Sequence, residues 1–288
     1  MMSTLRSSGI VCLVTGAVVA AAMLCACSGR SHQSPGATVT PPPLDGARPP
    51  ATLAGAESAL PLAGYGPSPS QWQVIYRAVG MLQAECMRQR GYHRFTPTAT
   101  ARSPATYPGG GGPFGYVNEG YAARRGFHSP GGGPGPRPMT LTEARVSLAC
   151  VARAQVRVLG PPSVRVRTAE RLLGSLYVKS ERDATTDKRV VAATGAWAAC
   201  MRADGFDAHS PAALVQGPWS AAPSAREIAT AKTDAACTSS EHLAGIYFAV
   251  LAGYQRELAR PYARTLAAVR AEGQSEAARA ARIVTAGG

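Results

Sequence analysis

Cys86-Met87-Arg88-Gln89-Arg90-Gly91-Tyr92 and Cys200-Met201-Arg202-Ala203-Asp204-Gly205-Phe206 are two copies of one pattern, Cys-Met-Arg-x-x-Gly-aromatic. The pattern reads as a helix end: glycine supplies the left-handed residue, and the aromatic after it packs back on the last turns. Each copy has a tryptophan upstream, Trp72 and Trp197, at different offsets. Each is followed, past a Pro-rich loop, by a Ser/Thr-x-x-Glu capping box, Thr140 with Glu143 and Ser224 with Glu227. The helix after each box carries one cysteine, Cys150 ten residues from its cap and Cys237 thirteen from its own. Four cysteines allow three pairings, and counting does not choose among them. The repeat does: it selects Cys86–Cys150 and Cys200–Cys237, each stapling a helix end to the next capped helix.

The start of the chain says which cysteines are left to pair. Arg6 is the only charge in the first 26 residues. The uncharged run from Gly9 to Leu24 is short of the roughly 20 residues that cross a ~30 Å hydrocarbon core, and the small Ala26 follows it at the expected cut. These are marks of a secretory signal over 1–26. Leu24-Cys25-Ala26-Cys27 resembles the lipobox of bacterial lipoproteins, with Leu at −3, Ala at −1 and Cys at +1; Cys25 at −2 departs from the common choice. The resemblance implies a diacylglycerol thioether on Cys27, whose acyl chains anchor at ~0.8 kcal/mol per buried CH₂. The alternative is an ordinary secretory cut that leaves Cys27 a thiol. With Cys12 and Cys25 removed and Cys27 lipidated, Cys86, Cys150, Cys200 and Cys237 remain of the seven cysteines, an even number for an oxidising compartment.

The formal charge is +13, carried almost wholly by arginine, with Lys179, Lys188 and Lys232 the only lysines. Basic faces favour anionic surfaces. Outside the cytoplasm those are lipid headgroups and wall polymers, and export argues against nucleic acid. An arginine-rich, high-GC composition explains the charge equally well. Residues 27–69 are rich in Pro, Gly, Ser, Thr and Ala and read as a disordered tether. Residues 70–288 read as the folded part, with degenerate repeats over about 70–160 and 184–270.

The expected fold class is all-α: a disulfide-stapled helical bundle with a long C-terminal helix. A helix from Ser70, capped by Ser68 or Ser70, puts Trp72, Ile75, Val79, Leu82 and Cys86 on one face. From Thr140 to Gly160, Leu141, Leu148, Val151 and Ala152 form one flank and Val146 and Cys150 the other. Helices over 163–182 and 184–203 follow, the second with Val190, Val191, Thr194, Trp197 and Met201 on one side. Residues 224–284 read as helical by composition. A stripe from Leu243 through Tyr247, Val250, Tyr254 and Tyr262 to Val269 crosses Pro261, which should kink or break it. The tail beyond Ala271 lacks large apolar residues and is expected to project or fray.

Between two glycine-rich runs lie four aromatics, Phe114, Tyr116, Tyr121 and Phe127, which either pack on the helical core or present a ligand surface. Gly110, Gly112 and Gly115 spell G-x-G-x-x-G with no strand leading in, so the dinucleotide reading is rejected. His32, His93, His128, His209 and His242 fall in no catalytic or metal-binding motif, and there is no Cys-x-x-Cys, nucleophile elbow or phosphate loop. Asp204 and Asp207 read as solvated turn residues. No cofactor, metal site or catalytic set is expected.

The paired Cys-Met-x-x-x-Gly-aromatic motifs resemble those of uncharacterised actinobacterial cell-envelope proteins, many with signal or lipoprotein starts. So do the Phe-Gly-Tyr…Ala-Arg-Arg-Gly-Phe loop and the last helix after Arg-Glu-Ile-Ala. The resemblance covers roughly residues 70–270 and implies fold and location, with no activity to transfer. The expectation is a membrane-anchored, non-catalytic binding or accessory module of the cell envelope, for a cell-wall polymer, small ligand or envelope protein. The alternatives are a regulatory or structural partner of a membrane complex docking through the C-terminal helix, and, third, an extracytoplasmic hydrolase.

Overall fold

The computed structural model describes residue 44 and residues 53–97, 118–128, 139–161, 163–220 and 222–287, all within one compact unit, Val39–Gly288. The signal, Cys27 and most of the tether lie outside the described residues, as do Phe114 and Tyr116. The regular structure among the described residues is helical, with no strand among them. The helices are α1 (Leu53–Ser58), α2 (Pro69–Gln89), α3 (Glu119–Arg125), α4 (Leu141–Leu159), α5 (Val164–Thr185), α6 (Lys188–Ala203), α7 (Pro211–Val215), α8 (Ala225–Ser240), α9 (Leu243–Ala259) and α10 (Ala263–Ala286). Both disulfides are those the repeat selects, Cys86–Cys150 and Cys200–Cys237.

Short polar residues set where the helices begin. Ser68 caps α2 in a reciprocal box, accepting from the Gln71 amide at 3.3 Å while its own amide donates to Gln71 Oε1 at 2.7 Å. Thr140, Ser163 and Ser224 each accept the amide three residues on, relieving one orphan donor of α4, α5 and α8. The two repeat motifs end their helices alike. Gly91 and Gly205 stand at φ 87° and 86°, and the amides of Tyr92 and Phe206 reach back to the carbonyls of Met87 and Met201 at 2.9 Å. A polar rung lies beside each bridge. Gln83 donates to Ser147 at 3.0 Å, and Trp197 donates to Asp234 Oδ1 at 2.9 Å; each partner sits three residues before its cysteine.

Three helices make the first layer. Pro67 approaches Gly273 and Met81 approaches Gly287 at the same sequence offset, so α2 and α10 run parallel. Arg279 of α10 reaches the carbonyls of Val158 and Leu159 at the end of α4, whereas Cys150, earlier in α4, meets Cys86 beyond the level of Gly287. Helix α4 is therefore antiparallel to both. Ile75, Val79, Ala154, Val158, Ala277 and Ala280 form this core. A second core gathers Trp197, Met201, Leu243, Tyr247, Val250 and Leu251 from α6 and α9, with Cys237 of α8. Helix α5 packs on both α9 and α10 and joins the layers.

Several expectations change. The folded part reaches upstream of residue 70: Leu62 is fully buried beside Leu176, Ala259 and Leu266, and its amide donates to the buried Gln255 Oε1 at 3.1 Å. The tail beyond Ala271 packs rather than projecting, because Gly273, Ala277 and Ala280 let α10 approach closely; a Cβ on Gly273 would lie 3.1 Å from Pro67. The 224–284 segment is divided. His242 adopts φ 53° between α8 and α9, a left-handed residue that a count of helix formers does not reveal; the 3-10 turn Arg260–Tyr262 at Pro261 is the interruption the proline was expected to make. The helix expected from residue 184 begins at Lys188, because Asp187 caps it, and the expected loop before Pro223 contains α7. Val191 is exposed. So are Leu141, Leu148 and Ala152 of the expected α4 flank, whereas its Val151 packs partly on the core and Glu143, Ser147, Cys150, Ala154 and Val158 face inward.

Candidate functional site, an arginine-lined groove

The α2–α10 side of the first layer carries a groove of about 1000 Å³, with Pro97 packed beside Gly80 in its lining. Its apolar wall is Tyr76, Met81 and Leu82 of α2 and Ile283 of α10. Five arginines border it, and they differ in what they do. Arg279 is committed to the fold: its guanidinium donates to the Val158 carbonyl at 2.9 Å, to the Leu159 carbonyl, to Ser275, and to Glu272 at 3.0 Å. It satisfies the orphan carbonyls that end α4 and places a cation at the negative end of that helix. Arg77, Arg88, Arg157 and Arg282 are exposed and make no ion pair with a described residue. The acid in the groove, Glu85, accepts from Gln89 at 3.4 Å. The result is a surplus of rigid planar donors around an apolar wall. That chemistry fits a phosphate or carboxylate attached to an apolar body.

Elsewhere the buried polar groups hold the fold. Asp187, buried at the start of α6, receives the Arg189 guanidinium on both oxygens at 2.8 Å, the Arg189 amide at 2.9 Å and the Tyr254 hydroxyl at 3.0 Å. The Arg189 hydrogen bond, first among these, lowers its pKa to about 2. A carboxyl lowered on folding stabilises above its unfolded pKa and loses that contribution as pH falls through the folded one. Asp187→Asn is therefore expected to be less stable by about 2 kcal/mol near neutral pH. Urea titrations of both proteins should show the gap closing as pH falls from about 4 toward 2; a gap constant with pH would contradict the assignment.

Glu227 is fully buried. It accepts the Phe127 amide at 2.8 Å on Oε1 and lies 3.2 Å from His128 Nε2 through Oε2. Two of the four aromatics expected in the ligand-or-packing loop are thus placed in the core: Tyr121 and Phe127 are buried against Ala231 and Ala235 of α8, with Phe127 stacked on Trp219 at 4.9 Å. His128 is a fold residue, and His93, His209 and His242 are exposed. Asp207 and His209 lie 3.7 Å apart, both largely in water. Cys200, Asp204 and Cys237 fall within 4.8 Å of one another, but both sulfurs are bonded in the disulfide and offer no thiolate. Leu243, Tyr247, Val250, Leu251, Tyr254, Leu266 and Val269 of the stripe are buried within the bundle, whereas Tyr262 is exposed. No helix among the described residues is long and apolar enough to cross a membrane.

Sequence reasoning named Tyr76's helix but not the groove. Its arginines come from α2, α4 and α10, and no local motif joins them. No protein-family model, curated protein or solved structure matches this chain.

Proposed function

We propose that this chain is a membrane-anchored extracytoplasmic lipoprotein of the actinobacterial cell-envelope type that acts without catalysis, as a binding module. The groove between α2 and α10 is its ligand site. Its ligand is an envelope component bearing phosphate or carboxylate on an apolar body. The observation that carries the binding reading is the set of four arginines, Arg77, Arg88, Arg157 and Arg282, that make no ion pair with a described residue and stand around an apolar wall. Buried cations usually pair within the fold, whereas exposed ones grouped about a concavity raise the local concentration of anions. The lipobox supports the location, and two disulfides suit an oxidising compartment.

Titration of the full chain with a short-chain phosphatidic acid, below its micelle concentration, tests the site. Saturable binding is expected, weakened about tenfold or more in Arg77→Glu/Arg282→Glu. Absence of saturable binding, or equal affinity in the variant, would remove the groove from the account.

A further inference from the structure

We propose that the outward face of α4 seats on an anionic lipid bilayer. This goes beyond the groove, since the surface is a convex ridge on a different face of the same helix. Leu141, Leu148 and Val156 are 82%, 69% and 65% exposed. At 100° per residue they fall, with Arg145 and Ala152, in one arc of about 80°, directly opposite the buried arc of Glu143, Ser147, Cys150, Ala154 and Val158. The ridge runs about 22 Å along the helix. Helix α4 thus carries a second apolar face: Val158, with Val151 and Leu159, packs on the core, while Leu141, Leu148 and Val156 are turned to solvent. Single exposed leucines are unremarkable. A line of three on one ridge, separated only by alanine and arginine, is not scatter.

Charge identifies what the ridge fits. The only acid of α4, Glu143, is buried; Arg145 lies on the ridge and Arg153 about 60° beyond its edge, both exposed and positive, while Arg157 faces the groove. A protein partner would be expected to meet aromatic anchors or a concavity, and the ridge has neither. A bilayer takes aliphatic tips into the headgroup–acyl boundary while arginine stems lie along it and their guanidinium groups stay with lipid phosphates. Anionic leaflets attract such basic segments over roughly a Debye length.

The test uses the full chain with an environment-sensitive fluorescent non-natural residue at position 148, or at position 191 on α6 as the exposed control. Vesicles contain bromolipids and either half phosphatidylglycerol or phosphatidylcholine alone. Quenching is expected at 148 and not at 191 on the anionic vesicles. It should fall about threefold or more on neutral vesicles and in Arg145→Glu/Arg153→Glu. No quenching at 148, or equal quenching at the two positions, would overturn the proposal. Equal quenching on neutral and anionic vesicles would overturn the assignment to an anionic surface. A probe at 148 already shielded from water without vesicles would assign the ridge to a protein contact instead. Because each comparison is between positions or charges on one chain, none depends on whether the groove binds its ligand.

Discussion

A chain carrying Cys200→Ser and Cys237→Ser is expected to lose about 4 kcal/mol of stability, by the chain-entropy reckoning for a bridge of this separation. The unfolded chain regains the freedom that the covalent link denies it. In urea, with a slope of roughly 2–3 kcal/mol/M for a chain of this size, the midpoint should fall by more than about 1 M. The Cys86–Cys150 bridge closes a longer loop, 64 residues against 37, yet loop entropy grows only logarithmically, so its removal should cost nearly the same. Removing both approaches the whole stability of an ordinary domain, roughly 5–15 kcal/mol, so a reductant should unfold the protein or nearly so. A midpoint unchanged by loss of either bridge would mean that Trp197–Asp234 and Gln83–Ser147, with the packing around them, hold the helix pairs unaided.

Glu227→Ala is expected to cost about 3 kcal/mol, through three losses at one position. The Phe127 amide loses its acceptor, His128 loses its partner, and a fully buried side chain leaves a void. Glu227→Gln separates these. It fills the space and keeps an acceptor for Phe127, so only the His128 pairing is lost and the cost should be about 1 kcal/mol. Gly126→Ala attacks the same contact from the other side. Its Cβ would lie 2.5 Å from Glu227 Oε1, at a φ of 55° that disfavours a side chain. Urea midpoints of the three variants should rank Glu227→Ala and Gly126→Ala well below Glu227→Gln. Three equal midpoints would show that segment 126–128 is not held by this carboxylate.

Much of the helix order was legible because caps and glycines act locally. Ser68, Thr140, Ser163 and Ser224 start helices by bonding an amide three residues away, and Gly91 and Gly205 end them. The disulfide pairing was legible because the motif repeats. What escaped depends on contacts far apart in the chain. Glu227 reads as the second half of a capping box, but its side chain bonds a backbone amide 100 residues upstream. The α10 tail reads as loose because packing by Gly273, Ala277 and Ala280 has no signature in hydrophobicity. Helix α4 misleads for a different reason: Leu141 and Leu148 look like a core flank, yet the face that meets α2 and α10 is the one with Ser147, Cys150, Ala154 and Val158, which leaves them outside. The groove was hidden by composition. In a chain so rich in arginine, Arg77, Arg157 and Arg282 carry no distinguishing local pattern until three helices bring them together.

The reading of four paired cysteines, an oxidising compartment and a tethered binding module begins at Leu24-Cys25-Ala26-Cys27. Intact mass analysis of the mature N-terminal peptide, with fractionation of cells expressing the native chain or Cys27→Ala, tests it most directly. The expected result is a mature chain starting at Cys27 with a diacylglyceryl thioether, held in the membrane fraction, and release from membranes in Cys27→Ala. An unmodified Cys27, or a Cys27→Ala chain that stays with membranes as firmly as the native one, would contradict the lipid anchor.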